Sequence, residues 1–509
     1  MKQLSKESAQ ETALSEGCDD LILRVIGHKF HYEAENLCRI FFPNDKITVV
    51  RDFEGQDSRT VVTEIRDTDG VCKVNVSVDI DGKHLQQSAD CVCTCAGDYD
   101  ECELLMAQMM FHQLSTVTGY IPPWGVLTGV RPSKLMIKLV SLYGEEGAKR
   151  HFTEKLLVSE EKTQLAFSVS QAEEKIVSLS VPESVSLYVS IPFCPSRCSY
   201  CSFVSHSISS PAAKKLLAPY IDRLCDEIEL TGEIASKLNL RIESIYFGGG
   251  TPGVLESDQL RRLCTKINDN FDLSHLREYT VEAGRPDTLD EYKLATLRSV
   301  GVDRISINPQ TFNQSVLDTV GRKHTVQKTL EVYEAARKIG FNSINMDLIA
   351  GLPTESFESF ANSVDTAVSL DPENITVHTL ALKRSSTLAA DGYFVSDGNT
   401  AKQMLSYAQD KLMKGDYFPY YMYRQSKCLG NLENVGWCKT DKECVYNIFM
   451  MEECHSVFAV GAGAVTKLKA PSSDYIERIF NFKYPYEYID RYGELTERKK
   501  RINEFYLSY

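Results

Sequence analysis

The sequence predicts an α/β protein whose central part is a series of strand and helix units, and two observations support this. Between residues 187 and 382, six β-rich segments are separated by stretches long enough for a helix: LYVSI, IESIYF, EYTVEA, DRISI, SINMDLI and NITVHTL. In the first of these stretches apolar residues recur at helical spacing, at Leu217, Ile221, Leu224 and Ile228. Such a series implies a parallel sheet with right-handed crossovers, either an open doubly wound layer or a curved partial barrel. In both, ligands bind at the carboxyl ends of the strands.

The chain is long enough for several domains, and changes of pattern suggest where they meet. Residues 1–100 contain strand-like segments such as KITVVRD and CKVNVSVDI, which predict a small N-terminal α+β domain. Residues 101–181 have helical periodicity and predict a helical connector. The βα series occupies residues 182–382, and residues 383–509 are expected to form a mostly helical C-terminal lobe that covers the substrate.

Composition narrows the class of protein. The 509 residues are 43% hydrophobic and 25% charged, which is typical of a globular protein. No stretch resembles a signal peptide or a membrane span, so we expect a cytoplasmic protein whose sixteen cysteines are thiols or metal ligands. A net charge of −14 argues against nucleic acid as the main partner.

A cysteine motif directly after the first strand carries the strongest chemical signal. In IPFCPSRCSYCSF, Cys194, Cys198 and Cys201 form a C-x3-C-x2-C triplet. Three thiolates on one tight loop can each bind one iron of a 4Fe-4S cluster, leaving the fourth iron without a protein ligand. That iron can bind S-adenosylmethionine (SAM) and pass an electron to its sulfonium, releasing a 5′-deoxyadenosyl radical. Buried thiols, or a zinc site completed by His206, are the alternatives from spacing alone.

A glycine run ends the second strand. In IYFGGGTPG, Gly248–Gly250 would let a ligand approach the backbone closely. A tight turn after a strand explains a glycine run equally well. Ligand binding is the favoured interpretation of the glycine run because the run follows the strand that comes after the cysteine motif in the βα series.

The combination IPFC-x3-C-x-YC and GGGTP resembles the radical SAM enzymes of the oxygen-independent coproporphyrinogen III oxidase family, over about residues 186–470. The N-terminal extension and the segments GVRPSKL, LGNLENVG and GAGAVTK resemble its HemZ-type coproporphyrinogen dehydrogenases. The resemblance implies a partial (β/α)6 radical SAM barrel, a 4Fe-4S cluster and a SAM bound to it, with a second SAM site. It also implies a tetrapyrrole substrate, an electron donor such as flavodoxin or ferredoxin, and a role in porphyrin and haem biosynthesis.

The same resemblance implies roles for single residues. Tyr188 matches a tyrosine that supports the cluster-bound SAM, and Tyr200 matches an aromatic residue whose backbone touches the adenine. The residues matching the remaining contacts to this SAM are Gly249, Gly250, Thr251, Glu282 and Ala381. Those matching a second SAM site are Gln310, Arg322 and Asp347. Without the motif, each would be read as a strand, cap or surface residue.

The implied reaction is oxidative decarboxylation of two propionates of coproporphyrinogen III to vinyl groups. Two departures from the family pattern bear on it: Ser190 replaces a histidine before IPFC, and Phe203 replaces a cysteine after the triplet. Phenylalanine there also occurs in the related haem-chaperone branch. A haem chaperone, a haem-modifying radical enzyme and an RNA-modifying radical enzyme therefore stay open as alternatives.

Several other residues could form sites but have simpler explanations. Two cysteine groups are expected to be buried thiols rather than metal sites: Cys91, Cys93, Cys95 and Cys102, and Cys428, Cys438, Cys444 and Cys454. His455 could ligate haem but is expected to be an ordinary helix histidine. Tyrosines 417–423 with Arg424 could line a tetrapyrrole pocket, although core packing explains them as well.

Overall fold

The protein is described by a computed structural model covering residues 20–51, 59–68, 71–92, 100–203, 205–383, 385–390, 398–425, 428–471 and 473–509. Two compact units are present. The first contains the described residues up to Phe167, with 398–399 and the described part of 424–432. The second contains the remaining described residues, from Ser168 to Tyr509.

The first unit is built on a five-stranded sheet. In chain order its elements are β1 (Asp20–Ile26), α1 (His31–Phe41), β2 (Lys46–Val50), β3 (Arg59–Thr68), β4 (Val71–Ile80) and β5 (Lys83–Val92). The strand order is β2-β1-β3-β4-β5; β1 is parallel to β2 and β3, and the others pair antiparallel. Alternate residues of β4 are buried, as expected for a sheet with one face on a core. This agrees with the predicted N-terminal α+β extension.

Helices follow the sheet. They are α2 (Asp100–Thr118), α3 (Pro132–Arg150), a π-helical turn (His151–Lys155) and α4 (Glu160–Val177). Helix α2 packs on the sheet through Met106, Met110 and Leu114, which are fully buried. The helices predicted from the periodicity of residues 101–181 are therefore present. The domain boundaries at residues 101 and 181 stay a prediction.

The second unit contains the predicted βα series. Its elements to residue 379 are β6 (Ser184–Ile191), β7 (Phe193–Cys194), β8 (His206–Ser207), α5 (Pro211–Lys237), β9 (Arg241–Gly249), α6 (Ser257–Asn270), β10 (Glu278–Gly284), α7 (Glu291–Ser299), β11 (Arg304–Ile307), α8 (Gln314–Thr319), α9 (Val326–Ile339), β12 (Ser343–Ala350), α10 (Phe357–Leu370) and β13 (Asn374–Thr379). Strands β6, β9, β10, β11, β12 and β13 lie in this order and are all parallel. These are the six segments predicted as strands, and they form the partial (β/α)6 barrel.

The described residues after 383 form helices and also five strands. The elements are α11 (Thr387–Ala390), α12 (Gly398–Lys414), β14 (Phe418–Arg424), β15 (Glu433–Cys438), α13 (Val445–Glu452), β16 (Ser456–Val460), β17 (Val465–Lys469), β18 (Ile476–Phe480), α14 (Pro485–Asp490) and α15 (Tyr492–Leu507). Strand β15 joins the sheet antiparallel to β13, and β16 joins it parallel to β6. The C-terminal part therefore extends both edges of the barrel sheet. Among the described residues, no helix combines the length and the apolar character that a membrane crossing requires.

Candidate active site

The three cysteines of the motif lie on one loop at the carboxyl end of β6. Short strand β7, which contains Cys194, pairs in parallel with β8, and the amide of Ile208 donates to the carbonyl of Cys194 at 2.9 Å. The amide of Cys201 donates to the carbonyl of Cys198 at 3.2 Å, which tightens the segment between them. The loop is therefore closed at its base, and its cysteines are confined to one end of the barrel. We call residues 194–201 the cluster loop.

The donor set fits an iron–sulfur cluster held by three ligands. All three cysteines are free thiols, and Cys198 is buried. Burial raises the pKa of the Cys194 thiol and raises that of Cys201 to about 11, so both thiols lie in a poorly solvated part of the loop. Within the described ranges no three His, Cys, Asp or Glu side chains are grouped to hold a single metal ion.

A second set of contacts fixes the far side of the cluster loop. The amide of Ser199 donates to the carbonyl of Val320 at 3.1 Å, and its carbonyl accepts from the amide of Leu388 at 3.0 Å. Arg197 donates to the carbonyl of Ser385 at 2.5 Å. The segments after α8 and before α11 therefore hold the loop in place.

The glycine-rich end of β9 lies against the cluster loop. The amide of Gly250 donates to the carbonyl of Ile191, and that of Thr251 to the carbonyl of Phe193, both at 2.8 Å. The Thr251 hydroxyl lies 3.5 Å from the sulfur of Cys194. A methyl group on Gly250 would lie 2.5 Å from the carbonyl oxygen of Phe193, closer than any real contact. Only glycine permits this approach, and the two sequence motifs contact each other here.

Tyr188 and Glu282 meet over Gly248. A methyl group there would lie 3.1 Å from Oε2 of Glu282 and 3.2 Å from the Tyr188 ring. No described residue donates a hydrogen bond to Glu282, and burial, together with the charge of Asp347, raises its pKa to about 8. A buried carboxyl group with a raised pKa and no hydrogen-bond donor is suited to binding a cationic ligand.

Of the three residues matched to a second SAM site, Gln310 and Asp347 contact each other and Arg322 contacts Tyr200. The amide of Gln310 donates to the carbonyl of Asp347 at 2.9 Å, and the Arg322 guanidinium donates to the Tyr200 hydroxyl at 3.1 Å. Gln310 has a left-handed backbone conformation with φ of 68°, which this bridge stabilises. Burial raises the pKa of Asp347, but the nearby ring of His378, whose Nε2 lies 3.8 Å away, and a hydrogen bond from Asn345 outweigh burial and hold that pKa below its usual value.

Three buried polar atoms in this region lack a partner among the described residues: Oδ1 of Asn308, Oε1 of Gln310 and Nε of Arg322. Buried polar atoms are normally hydrogen-bonded, and an unpaired one costs about 1–3 kcal/mol. Two acceptors and one donor left open beside the carboxyl end of β11 fit a polar ligand such as a nucleoside.

Three further predicted positions have clear surroundings. Ala381 is partly buried and follows β13, where the preceding amide of Leu380 donates to the carbonyl of Ala350. The Ser190 hydroxyl donates to the carbonyl of Ala462 at 2.8 Å, so it faces the segment that follows β16. Phe203 is 68% exposed and follows the cluster loop. The cysteine that the family pattern has at this position is therefore replaced by a ring with little packing of its own.

A stack of three tyrosines supports the site and was not predicted. The ring of Tyr246 lies 4.5 Å from that of Tyr446, and Tyr188 lies 6.1 Å from Tyr446, all nearly parallel. Tyr446 is on α13, and the Glu278 carboxylate accepts from the amide of Val445 at 2.9 Å, which fixes the start of that helix. Sequence gives no signal for this stack because Tyr446 and Tyr188 are far apart in the chain.

The remaining candidates have structural roles. Cys444 donates to Glu278, and Cys428 and Cys438 are buried thiols. Cys93 and Cys95 lie outside the described residues. His455 was expected on a helix, but it lies between α13 and β16, and both ring nitrogens are hydrogen-bonded at 2.8 Å, to Ser180 and Ser186. It is therefore not free to ligate haem.

The tyrosine-rich segment is part of a core. Tyr417 donates to the carbonyl of Pro372 at 2.6 Å, and Tyr420 and Tyr421 are buried in a hydrophobic cluster. The Arg424 guanidinium donates to the carbonyls of Leu127, Gly129 and Asn431. The core-packing interpretation is supported, and Arg424 is already engaged by backbone carbonyls.

Comparisons with known proteins agree with this geometry. Residues 188–367 match the model of the Radical SAM superfamily. The chain is 37% identical to the oxygen-independent coproporphyrinogen-III oxidase-like protein HemZ of Bacillus subtilis, over 78% of this chain and 80% of that one. It is also 37% identical to the heme chaperone HemW of the same organism, but over 39% of this chain and 51% of that one.

Among solved structures, the radical SAM enzyme coproporphyrinogen III oxidase (HemN) from Escherichia coli aligns with a TM-score of 0.50 and 23% identity, covering 64% of this chain and 73% of that chain. At that identity the likeness shows the fold alone. The superfamily match and the coverage of HemZ go further, since they extend well beyond the cysteine motif. The chain is a radical SAM protein of the oxygen-independent coproporphyrinogen III oxidase family, HemZ type, and the cofactors of that family are a 4Fe-4S cluster and SAM.

Proposed function

We propose that this protein catalyses the oxidative decarboxylation of two propionate side chains of coproporphyrinogen III to vinyl groups, giving protoporphyrinogen IX. The observation that carries the proposal is the contact between the two motifs, where Thr251 lies 3.5 Å from the sulfur of Cys194. Similarity to HemZ over most of the chain supports the substrate class. The cytoplasmic location expected from the sequence stays a prediction.

In this proposal Cys194, Cys198 and Cys201 hold the cluster, and the edge Gly249–Thr251 receives the methionyl end of SAM. When bound, these cofactors supply a 5′-deoxyadenosyl radical, which removes a hydrogen atom from the propionate carbon β to the macrocycle. Carbon dioxide then leaves, and a one-electron acceptor takes the remaining electron. A one-electron donor such as flavodoxin or ferredoxin reduces the protein beforehand.

The chain's own residues would bind and orient the SAM. Tyr188 and Glu282, which meet over Gly248, would bind the SAM at the carboxyl end of the barrel strands. The carboxylate of Glu282 would offset the positive charge of the sulfonium. The rings of Tyr246 and Tyr446, stacked with that of Tyr188, would help to exclude water from the reacting atoms.

A second SAM would lie near Gln310, Arg322 and Asp347. Support comes from the unpartnered atoms of Gln310, Arg322 and the neighbouring Asn308, which leave two acceptors and one donor open. Their burial makes a polar ligand at this place energetically favourable.

A haem chaperone of the same family is the second candidate. The exposed ring of Phe203 at the cluster loop favours it, as does the similarity to HemW over 39% of this chain. In a chaperone the cluster would be kept while haem is bound without being consumed. His455 would not be the haem ligand because its two nitrogens are already bonded.

The experiment uses the full chain, reconstituted anaerobically with iron and sulfide and given SAM and a reductant. Coproporphyrinogen III and haem are offered separately, and porphyrins and 5′-deoxyadenosine are measured by chromatography. Vinyl products formed in step with 5′-deoxyadenosine support the proposal. Haem bound stoichiometrically without turnover supports the chaperone.

Two controls make the result specific. Cys198→Ala should lose both the cluster signal in electron paramagnetic resonance and all products. Cys225→Ala, a buried thiol on α5 outside the site, should keep both. Products from the Cys198 variant, or none from a wild-type protein with a full cluster, would contradict the proposal.

A further inference from the structure

A buried arginine directly after β10 belongs to no role assigned so far. Arg285 is 3% exposed and makes a two-pronged contact with Asp287: Nε lies 3.0 Å from Oδ1 and the second terminal nitrogen 2.7 Å from Oδ2. Two parallel hydrogen bonds fix the plane of the guanidinium. The pair therefore has one orientation, with its positive end pointing away from Asp287.

That positive end faces the cluster loop. The remaining nitrogen of Arg285 donates to the Ser196 hydroxyl at 2.6 Å and approaches the Ser196 carbonyl at 3.4 Å. Ser196 lies midway between Cys194 and Cys198. Among the described residues, Asp287 is the acidic side chain recorded in an ion pair with Arg285, and it is on the side away from the loop.

A charge held here acts in a poorly solvated environment. Cys198, Thr251 and Arg285 are all nearly inaccessible to solvent, and the interaction of a charge with its surroundings is stronger away from water. Reduction adds one negative charge to a cluster, and nearby charges and hydrogen bonds are among the features that set cluster potentials. An oriented Arg–Asp pair outside the ligand shell can therefore tune the cluster.

We propose that Arg285 and Asp287 set the reduction potential of the cluster, with Arg285 stabilising the reduced state and Asp287 limiting that effect. The inference rests on the proposed function in one respect, that Cys194, Cys198 and Cys201 hold the cluster. Arg285 and Asp287 are positioning residues in this proposal, since Arg285 acts through its contact with Ser196 of the cluster loop and Asp287 acts through Arg285.

The alternative is a purely structural clamp, in which the Arg285–Asp287 pair only holds the cluster loop in place. The direction in which each substitution shifts the reduction potential distinguishes the two interpretations. Arg285→Gln removes the positive charge and leaves Asp287 unopposed, so reduction becomes harder. Asp287→Asn removes the negative charge and leaves Arg285 unopposed, so reduction becomes easier. A clamp would respond to both substitutions in the same direction, by losing iron.

The test is a redox titration of the reconstituted full chain, followed by electron paramagnetic resonance at matched iron content and without substrate. Arg285→Gln should lower the equilibrium constant for accepting one electron at least tenfold. This corresponds to a reduction potential that is about 59 mV more negative. Asp287→Asn should shift it in the opposite direction. Arg223→Gln, from an exposed Arg–Asp pair on α5, should leave it unchanged.

Unchanged potentials in both variants at full iron content, or shifts of the same sign, would overturn the proposal. If Arg285→Gln retains no cluster, Arg285→Lys keeps the charge and should retain the wild-type potential, and a positive shift in Asp287→Asn is then required. A cluster that survives Cys198→Ala would instead disprove the ligand assignment, and with it the proposed function.

Discussion

Lys499 of α15 and Glu227 of α5 form a buried ion pair: the ammonium lies 3.0 Å from Oε1, and the two side chains are 1% and 0% exposed. The carboxylate also accepts from the amide of Gly461 at 2.7 Å, from Asn481 at 2.8 Å and from the Tyr488 hydroxyl at 2.6 Å. All its lone pairs are used, so the charge is tolerated without water. The last helix is thereby joined to the segment after β16.

Tyr220 connects the segment after β16 to strand β6 of the barrel. The Tyr220 hydroxyl donates to the carbonyl of Ser190 at 2.8 Å and accepts from the amide of Ala462 at 2.9 Å. Ser190 is the residue before Ile191, where β6 ends and the cluster loop follows. The C-terminal segment therefore stabilises the strand that carries the cysteine motif.

Lys499→Met should lower the free energy of unfolding by about 3–5 kcal/mol, because it leaves a buried carboxylate without its cation. Urea unfolding of the full chain measures this. The double variant Glu227→Gln with Lys499→Met should recover part of the loss. Lys500→Met, from an exposed pair with Glu497, should change stability by no more than about 1 kcal/mol. Equal losses at positions 499 and 500 would contradict the interpretation.

The tyrosine stack predicts opposite effects from two substitutions at one position. The Tyr446 hydroxyl is buried and has no partner among the described residues, so Tyr446→Phe should raise the free energy of unfolding by about 1 kcal/mol. Tyr446→Ala removes the ring beside Tyr188 and Tyr246 and should lower it by about 3–5 kcal/mol.

SAM binding gives the second readout for this stack. Because Tyr188 loses its neighbour, the alanine variant should bind SAM more weakly, whereas the phenylalanine variant should bind it as the wild type does. Equilibrium dialysis of reconstituted protein measures both affinities. If Tyr446→Ala binds SAM normally, the stack does not position Tyr188.

Sequence predicted the parts of the site that depend on neighbours in the chain. The cysteine triplet and the glycine run are local patterns, and each directly follows a strand in a series whose topology places them together. The contacts that depend on distant partners were missed. Arg285 reaches Ser196 across 89 residues, and Tyr446 reaches Tyr188 from a helix beyond the barrel, so no local pattern encodes either.

His378 is another residue whose contacts could not be predicted from the sequence. It lies on β13 with its Nε2 3.8 Å from Asp347 and its Nδ1 3.4 Å from the Tyr423 hydroxyl. In the sequence it is a single polar residue in a β-rich segment, which gives no signal above that of a partly exposed strand residue. Its neighbours become evident only once β12, β13, β15 and β14 are assembled in this order in one sheet.

Glu282 predicts a pH dependence of SAM binding. Its pKa of about 8 means that the carboxyl is protonated at neutral pH in the free protein. A cationic sulfonium beside it favours the ionised form, so binding releases a proton. Between pH 6 and 8 the affinity should therefore rise with pH, by at most about tenfold per unit, and level off above 8. Equilibrium dialysis at constant ionic strength measures it.

Two variants test the cause. Glu282→Gln should abolish the pH dependence, and Asp347→Asn should move it to lower pH because the charge of Asp347 contributes to the raised pKa. Stability gives an independent check: with a folded pKa above the usual value, Glu282 contributes a free energy of unfolding that declines as pH rises from about 4.5 to 8. That decline should be absent in Glu282→Gln; the same decline in both proteins would rule out Glu282.

Gly250 offers the most direct test of the contact between the two motifs. An alanine methyl there would lie 2.5 Å from the carbonyl oxygen of Phe193 and 2.9 Å from that of Ile191, so the strand end and the cluster loop must separate. Both oxygens belong to backbone that accepts hydrogen bonds from Gly250 and Thr251, so neither can move without breaking a bond. Gly250→Ala should therefore lose iron and SAM binding together.

The matched control is Gly493→Ala on α15, where no atom lies within 4 Å of the added methyl group. Reduced freedom of the unfolded chain should raise its free energy of unfolding by about 0.4–1 kcal/mol without affecting iron content. Iron and sulfide analysis, with SAM binding by dialysis, compares the two variants. A Gly250→Ala protein that keeps both cofactors would mean that the glycine edge moves away from the loop, and that SAM does not depend on their contact.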